Sequence, residues 1–276
     1  MKARVLAPKG EHVTAIVAVP SGVVLGTADA RVLLRPGGSE VTHAKSDVEQ
    51  NEPCDATLPE CEQSLAPSTG EVLQLEVLGR DGAVLALCHD MLHCLAMSTL
   101  SPAWTVSTEL SPEAPPLLSM HVPAAHGLRE ARFAVASGCQ LRLYEVDSES
   151  PCGSTPHVHR HFDLATRAVA LAWLHDSVVI ALGGEYMAVA EASGTARTIA
   201  RYAADVRPLA VPALGPDVLL SVGGGADPQT VCLRLDLCGS DGDVSAPDRG
   251  APLSVHSRLH WSSPPIAVVV CFPMVC

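Results

Sequence analysis

Three stretches of this chain gather side chains that could bind a metal or act as nucleophiles. The first is His157-Val158-His159-Arg160-His161, where strand alternation would place three imidazoles on one face. Imidazole is a good zinc ligand. Yet no carboxylate or thiolate at matching spacing is close in sequence except Cys152, and histidines clustered in a loop commonly serve as exposed polar filling. The second is Cys88-His89-Asp90-Met91-Leu92-His93-Cys94. Zinc sites pair cysteines two to four residues apart, and this spacing misses that pattern. Cys88 and Cys94 instead occupy apolar positions of two flanking strands, where core packing accounts for them. The third is Cys54 and Cys61, in a polar stretch, where a redox pair is open but not demanded.

Other chemical motifs fall short. Gly223-Gly224-Gly225-Ala226-Asp227 lacks the Lys-Ser/Thr of a phosphate-binding loop, and no helical pattern follows it. Residues 236–243 are acidic without the twelve-residue calcium loop and its terminal Glu. No Gly-x-Ser-x-Gly elbow occurs. A triad assembled from distant Ser, His and Asp is not legible from one sequence. No catalytic, cofactor-binding or metal residue is therefore assigned, and no cofactor is expected. The partner-binding residues are left unassigned.

The elements that would carry these residues read as short strands. Val, Gly and Pro are abundant, while helix-favouring Glu and Lys are sparse. A pattern of apolar strand, tight Gly or Asp turn, second apolar strand and departing third strand recurs. It begins at residues 13–34, 72–97, 131–146, 168–190 and 208–235, and a sixth unit starts at residues 266–271. The period of roughly 40–60 residues is that of propeller blades. Each such sheet needs neighbours on both faces to be buried. Gly26, Gly183 and Gly223 close central strands where a side chain would obstruct a sharp turn. A β-sandwich is the competing architecture, but at this length it would need two domains. Residues 37–70, 147–161 and 239–250, rich in Ser, Asp, Glu and Pro, read as surface loops, the first and last as flexible insertions.

Composition narrows the function. A net charge of −12 argues against binding a phosphate backbone, and mildly against docking on anionic lipid. Nine aromatic residues, three each of Trp, Tyr and Phe, are few for a single-strand stacking platform. Met1-Lys2-Ala3-Arg4 is not followed by the apolar run of a secretory signal. The apolar stretch 168–182 is broken by His175-Asp176, and residues 266–276 cover about half of the ~20 residues that a spanning helix requires. A cytoplasmic protein with reduced thiols among its 10 cysteines is the expectation.

In order along the chain, residues 22–29 (GVVLGTAD), 83–90 (AVLALCHD), 167–173 (RAVALAW), Arg207-Pro208 with 219–225 (LLSVGGG), and 255–262 (VHSRLHWS) leading into 265–273 (PIAVVVCFP) resemble one family. It is the citron homology (CNH) domain, and within it the N-terminal domain of the vacuolar sorting and transforming growth factor-beta receptor-associated tethering proteins. His260-Trp261-Ser262 ahead of Phe272-Pro273 is the most specific element. The resemblance implies an all-β fold, a β-propeller that is seven-bladed in the family and incomplete here. It implies a single domain over residues 1–276, truncated at its C-terminus. It implies a non-enzymatic docking module of the endosomal and vacuolar tethering complexes CORVET and HOPS. Its partners would be tethering-complex subunits and Rab-type small GTPases, with no nucleic acid. Membrane association would be peripheral, through those partners, on endosomal or vacuolar/lysosomal membranes. CNH domains also occur in kinases and Rho exchange factors, which is the alternative setting. A propeller hydrolase using the His-rich loops is a further rival.

Overall fold

The computed structural model describes residues 12–19, 22–36, 61–65, 70–78, 82–108, 115–121, 130–147, 150–174, 177–212, 217–223, 229–234 and 254–260. They form twenty strands, grouped as five four-stranded antiparallel meanders in chain order. The first sheet is β1 (Val13–Val19), β2 (Gly22–Thr27), β3 (Arg31–Pro36) and β4 (Cys61–Ser64). The second is β5 (Gln74–Leu78), β6 (Ala83–Leu87), β7 (Met91–Ala96) and β8 (Pro102–Ser107). The third is β9 (Leu117–Met120), β10 (Glu130–Ser137), β11 (Gln140–Asp147) and β12 (His157–Asp163). The fourth is β13 (Ala168–Trp173), β14 (Ser177–Leu182), β15 (Glu185–Ala190) and β16 (Ala196–Arg201). The fifth is β17 (Ala210–Pro212), β18 (Asp217–Ser221), β19 (Gln229–Arg234) and β20 (Ser254–His260).

The chain divides into two compact units. Unit 1 holds residues 1–109 and 150–155, and so the first two sheets. There β5 packs on β1 and β2, around Val24, Val32, Leu34, Val84 and Leu95. Unit 2 holds residues 110–149 and 156–276, with the other three sheets. In it β13 packs against β9 and β10 on one side and β17 on the other. Ala134, Leu143, Trp173 and Ile180 fill the first interface, and Val179, Tyr186, Val218 and Leu220 the second.

Burial follows position within each sheet. All five residues of β6 and all six of β14 are buried, because such strands carry neighbours on both faces. Each buried Leu or Val there contributes roughly 1.5–3 kcal/mol over its exposed state. The last strands differ: β16 alternates, with only Ile199 buried.

These outer strands correct the sequence reading. Residues 61–64, expected within a flexible insertion, are β4, and Leu65 beside them is buried. Residues 157–161, expected in a loop, belong to β12. In the third unit, residues 131–136 lie on the second strand, since β9 precedes them. Outer strands have one face in water, so their polar residues resemble loop. The glycines divide too. Gly183 and Gly184, at φ +49° and +99°, form the two-residue β14–β15 turn, whose handedness favours glycine. Gly26 instead lies inside β2, where a Cβ would stand 2.5 Å from Cγ1 of Val72. Residues 239–250 and 266–271 lie outside the described residues. No helix among the described residues is long and apolar enough to cross a membrane.

Candidate functional site

The histidines of β12 are not three in a row. Glu145 pairs with His157 and Tyr144 with Val158, but Leu143 pairs with Arg160, so His159 is an extra residue in a bulge. Arg142 then pairs with His161. Directly opposed residues share a face, so His161 is turned to the face opposite His157. There His161 Nε2 lies 3.8 Å from Asp163 Oδ1. The imidazole triplet expected from simple alternation is thus split by the bulge.

What replaces it is a charged row across three strands. Arg132 on β10 opposes Glu145 on β11, which opposes His157 on β12. Arg132 Nη2 is 2.7 Å from Glu145 Oε1, and Arg132 Nη1 is 2.8 Å from Oε1 of Glu191, just past β15. His157 Nε2 is 3.4 Å from Glu145 Oε2. The bulge aims His159 between the two carboxylates, with Nδ1 3.4 Å from Glu145 and Nε2 3.5 Å from Glu191. Both glutamates are buried, their side chains 8% and 11% exposed.

Glu145, His159 and Glu191 each offer one ligand atom within 4.8 Å of the others, which is a spacing a divalent ion can use. However, the Oε1 atoms of both glutamates already face the Arg132 guanidinium, so an ion there would have to displace Arg132. The arrangement acts as a charged clamp, in which a fork-shaped guanidinium joins two carboxylates brought from different sheets. Sequence reasoning singled out the histidines and missed Arg132, Glu145 and Glu191. The available signal was Glu145 itself, a carboxylate inside the otherwise buried end of β11.

In unit 1, Cys88, His93 and Cys94 are buried, whereas His89 and Asp90 lie exposed in the β6–β7 turn. This matches the packing explanation for the two thiols. His89 Nε2 reaches Glu71 at 3.7 Å. Burial lowers the pKa of His93, whose Nε2 has no hydrogen-bond partner among the described residues. Cys94, Cys139 and Cys152 form no disulfide among the described residues. Cys54 lies outside the described residues, as do Gly224 and Gly225.

A second polar hub sits in unit 2, on Tyr186. Its hydroxyl donates to Ser221 O at 2.7 Å and accepts from the Leu209 backbone N–H at 3.1 Å. Ser221 Oγ accepts from the same Leu209 N–H at 2.8 Å and donates to Arg207 O at 2.9 Å. Burial pushes the Tyr186 phenol up to about 12, so it stays a neutral donor. These contacts tie β15 to β18 and to the segment entering β17, a structural role.

No protein-family profile matches the sequence, and no curated protein sequence is similar to it. Solved structures are similar in fold. The AfRom2 CNH domain aligns over 96% of this chain and 77% of its own, at TM-score 0.57 and 12% identity. The WD40 domain of SCAP from fission yeast aligns over 94% of this chain and 58% of its own, at 0.52 and 11%. A chain of the mitotic checkpoint complex aligns over 92% of this one and 68% of its own, at 0.52 and 10%. Five consecutive four-stranded meanders, together with these likenesses, establish the fold as an all-β propeller of the kind seen in CNH and WD40 domains.

Proposed function

We propose that this chain is a non-catalytic protein-docking propeller of a vesicle-tethering subunit. It would act in endosome-to-vacuole/lysosome transport by engaging Rab-type small GTPases or other tethering subunits. The observation that carries the reading is the likeness to a CNH domain over 96% of the chain. The ordered motifs from residues 22–29 to 265–273 support the finer assignment to the tethering family. Rigid sheets that present connecting loops are suited to surface recognition, since loops on a fixed scaffold carry binding. The charge of −12 disfavours direct contact with anionic lipid, so membrane association would run through partners.

The test is reciprocal co-precipitation of the tagged chain with endosomal tethering subunits and with Rab-type GTPases, against a tag-only control. Reproducible recovery of at least one class supports the reading. Recovery of neither overturns it.

A further inference from the structure

The segment 150–155 docks on the second sheet of unit 1 through a dense set of contacts. Cys94 on β7 and Trp104 on β8 are directly opposed, and both reach the Pro151 carbonyl. Trp104 Nε1 donates to it at 2.7 Å, and Cys94 Sγ lies 3.9 Å from it. Cys152 Sγ in turn lies 3.7 Å from the Gly82 carbonyl. A Cβ on Gly82 would come within 2.8 Å of Pro151 Cγ, which shows how closely the segment is seated. The carbonyl that Cys94 touches belongs to the peptide bond leading into Cys152, so the two cysteines meet at the same seat.

We infer that Cys94 and Cys152 are a redox pair that closes to a disulfide and staples residues 150–155 to the middle of the β5–β8 sheet. The two thiols differ in access. Cys94 is fully buried, while Cys152 is partly exposed. Burial, and then the neighbouring Cys152 thiol, push the Cys94 thiol well above the usual cysteine range. Cys152 is therefore the entry point. With a low-molecular-weight disulfide as oxidant, Cys152 gives its proton to solvent and its thiolate attacks one oxidant sulfur. The first small thiolate leaves and is protonated. Cys94 then attacks the Cys152 sulfur of the mixed disulfide, and its proton passes to the second departing thiolate. Two protein thiols and one small disulfide become one protein disulfide and two small thiols.

The experiment incubates the full chain with oxidised glutathione, alkylates remaining thiols under denaturing conditions, and maps peptides without reduction. The expected product is one cross-linked peptide pair containing Cys94 and Cys152, lost on treatment with dithiothreitol. Because the bridge closes a long loop, Tm should rise by roughly 5 °C or more and fall back on reduction. Cys152→Ser, on the partly exposed segment, should leave Cys94 fully alkylatable, whereas Cys139→Ser should leave the cross-link intact. A chain that stops at Cys152–glutathione with Cys94 still a free thiol would overturn the inference. So would a bridge from Cys152 to any other cysteine.

Discussion

Arg132 and Glu145 face each other across β10 and β11, with guanidinium and carboxylate 2.7 Å apart and the carboxylate side chain 8% exposed. The same guanidinium holds Glu191 at 2.8 Å, so two buried anions share one cation. Removing one member of such a set leaves charge buried without compensation. Arg132→Met should therefore destabilise the fold by about 3 kcal/mol or more, measured by urea unfolding. Adding Glu145→Gln and Glu191→Gln to that variant should recover a substantial part of the loss. Equal loss in the triple variant would show that the methylene packing of Arg132 matters more than its charge.

Tyr186→Phe removes a hydroxyl that serves Ser221 O and Leu209 N–H. The Leu209 N–H keeps Ser221 Oγ as an acceptor, which limits the damage. The expected cost is about 1–2 kcal/mol in chemical denaturation. Ser221→Ala added to Tyr186→Phe should cost more than the sum of the two single changes, because Leu209 N–H then loses both acceptors.

The central strands were legible because burial on both faces leaves a plain apolar run, as in residues 83–87 and 177–182. The outer strands were not, because β4 (CEQS) and β12 (HVHRHFD) keep one face in water and carry loop-like composition. The charged clamp was hidden for another reason. Arg132 and Glu191 are 59 residues apart, and their meeting depends on how two sheets pack. The bulge at His159 was equally invisible, since strict alternation is the default expectation for a strand.

Gly26 owes its identity to Val72, whose Cγ1 and Cβ would lie 2.5 and 2.8 Å from an added Cβ. Gly26→Ala should cost about 1–3 kcal/mol by overpacking. Val72→Ala in the same chain should relieve part of that, giving a positive coupling in a double-mutant cycle.

His93 links stability to acidity. Its folded pKa is depressed by burial below the ordinary 6.5, so the unfolded chain takes up the proton first as pH falls. The stability its neutral form supports is present above pH 6.5 and is lost progressively as pH falls from there through the depressed folded value. His93→Leu, which cannot titrate, should flatten the dependence of Tm on pH below about 6.5. An unchanged slope would place the acid sensitivity elsewhere.

Direct binding of purified Rab-type GTPases to the purified chain, measured by biolayer interferometry with each GTPase in its GTP- and GDP-loaded states, tests the docking role most sharply. The expected result is saturable binding that distinguishes the two nucleotide states for at least one endosomal or vacuolar GTPase, or saturable binding to a purified tethering subunit run alongside. Flat traces for every GTPase and every tethering subunit would contradict it.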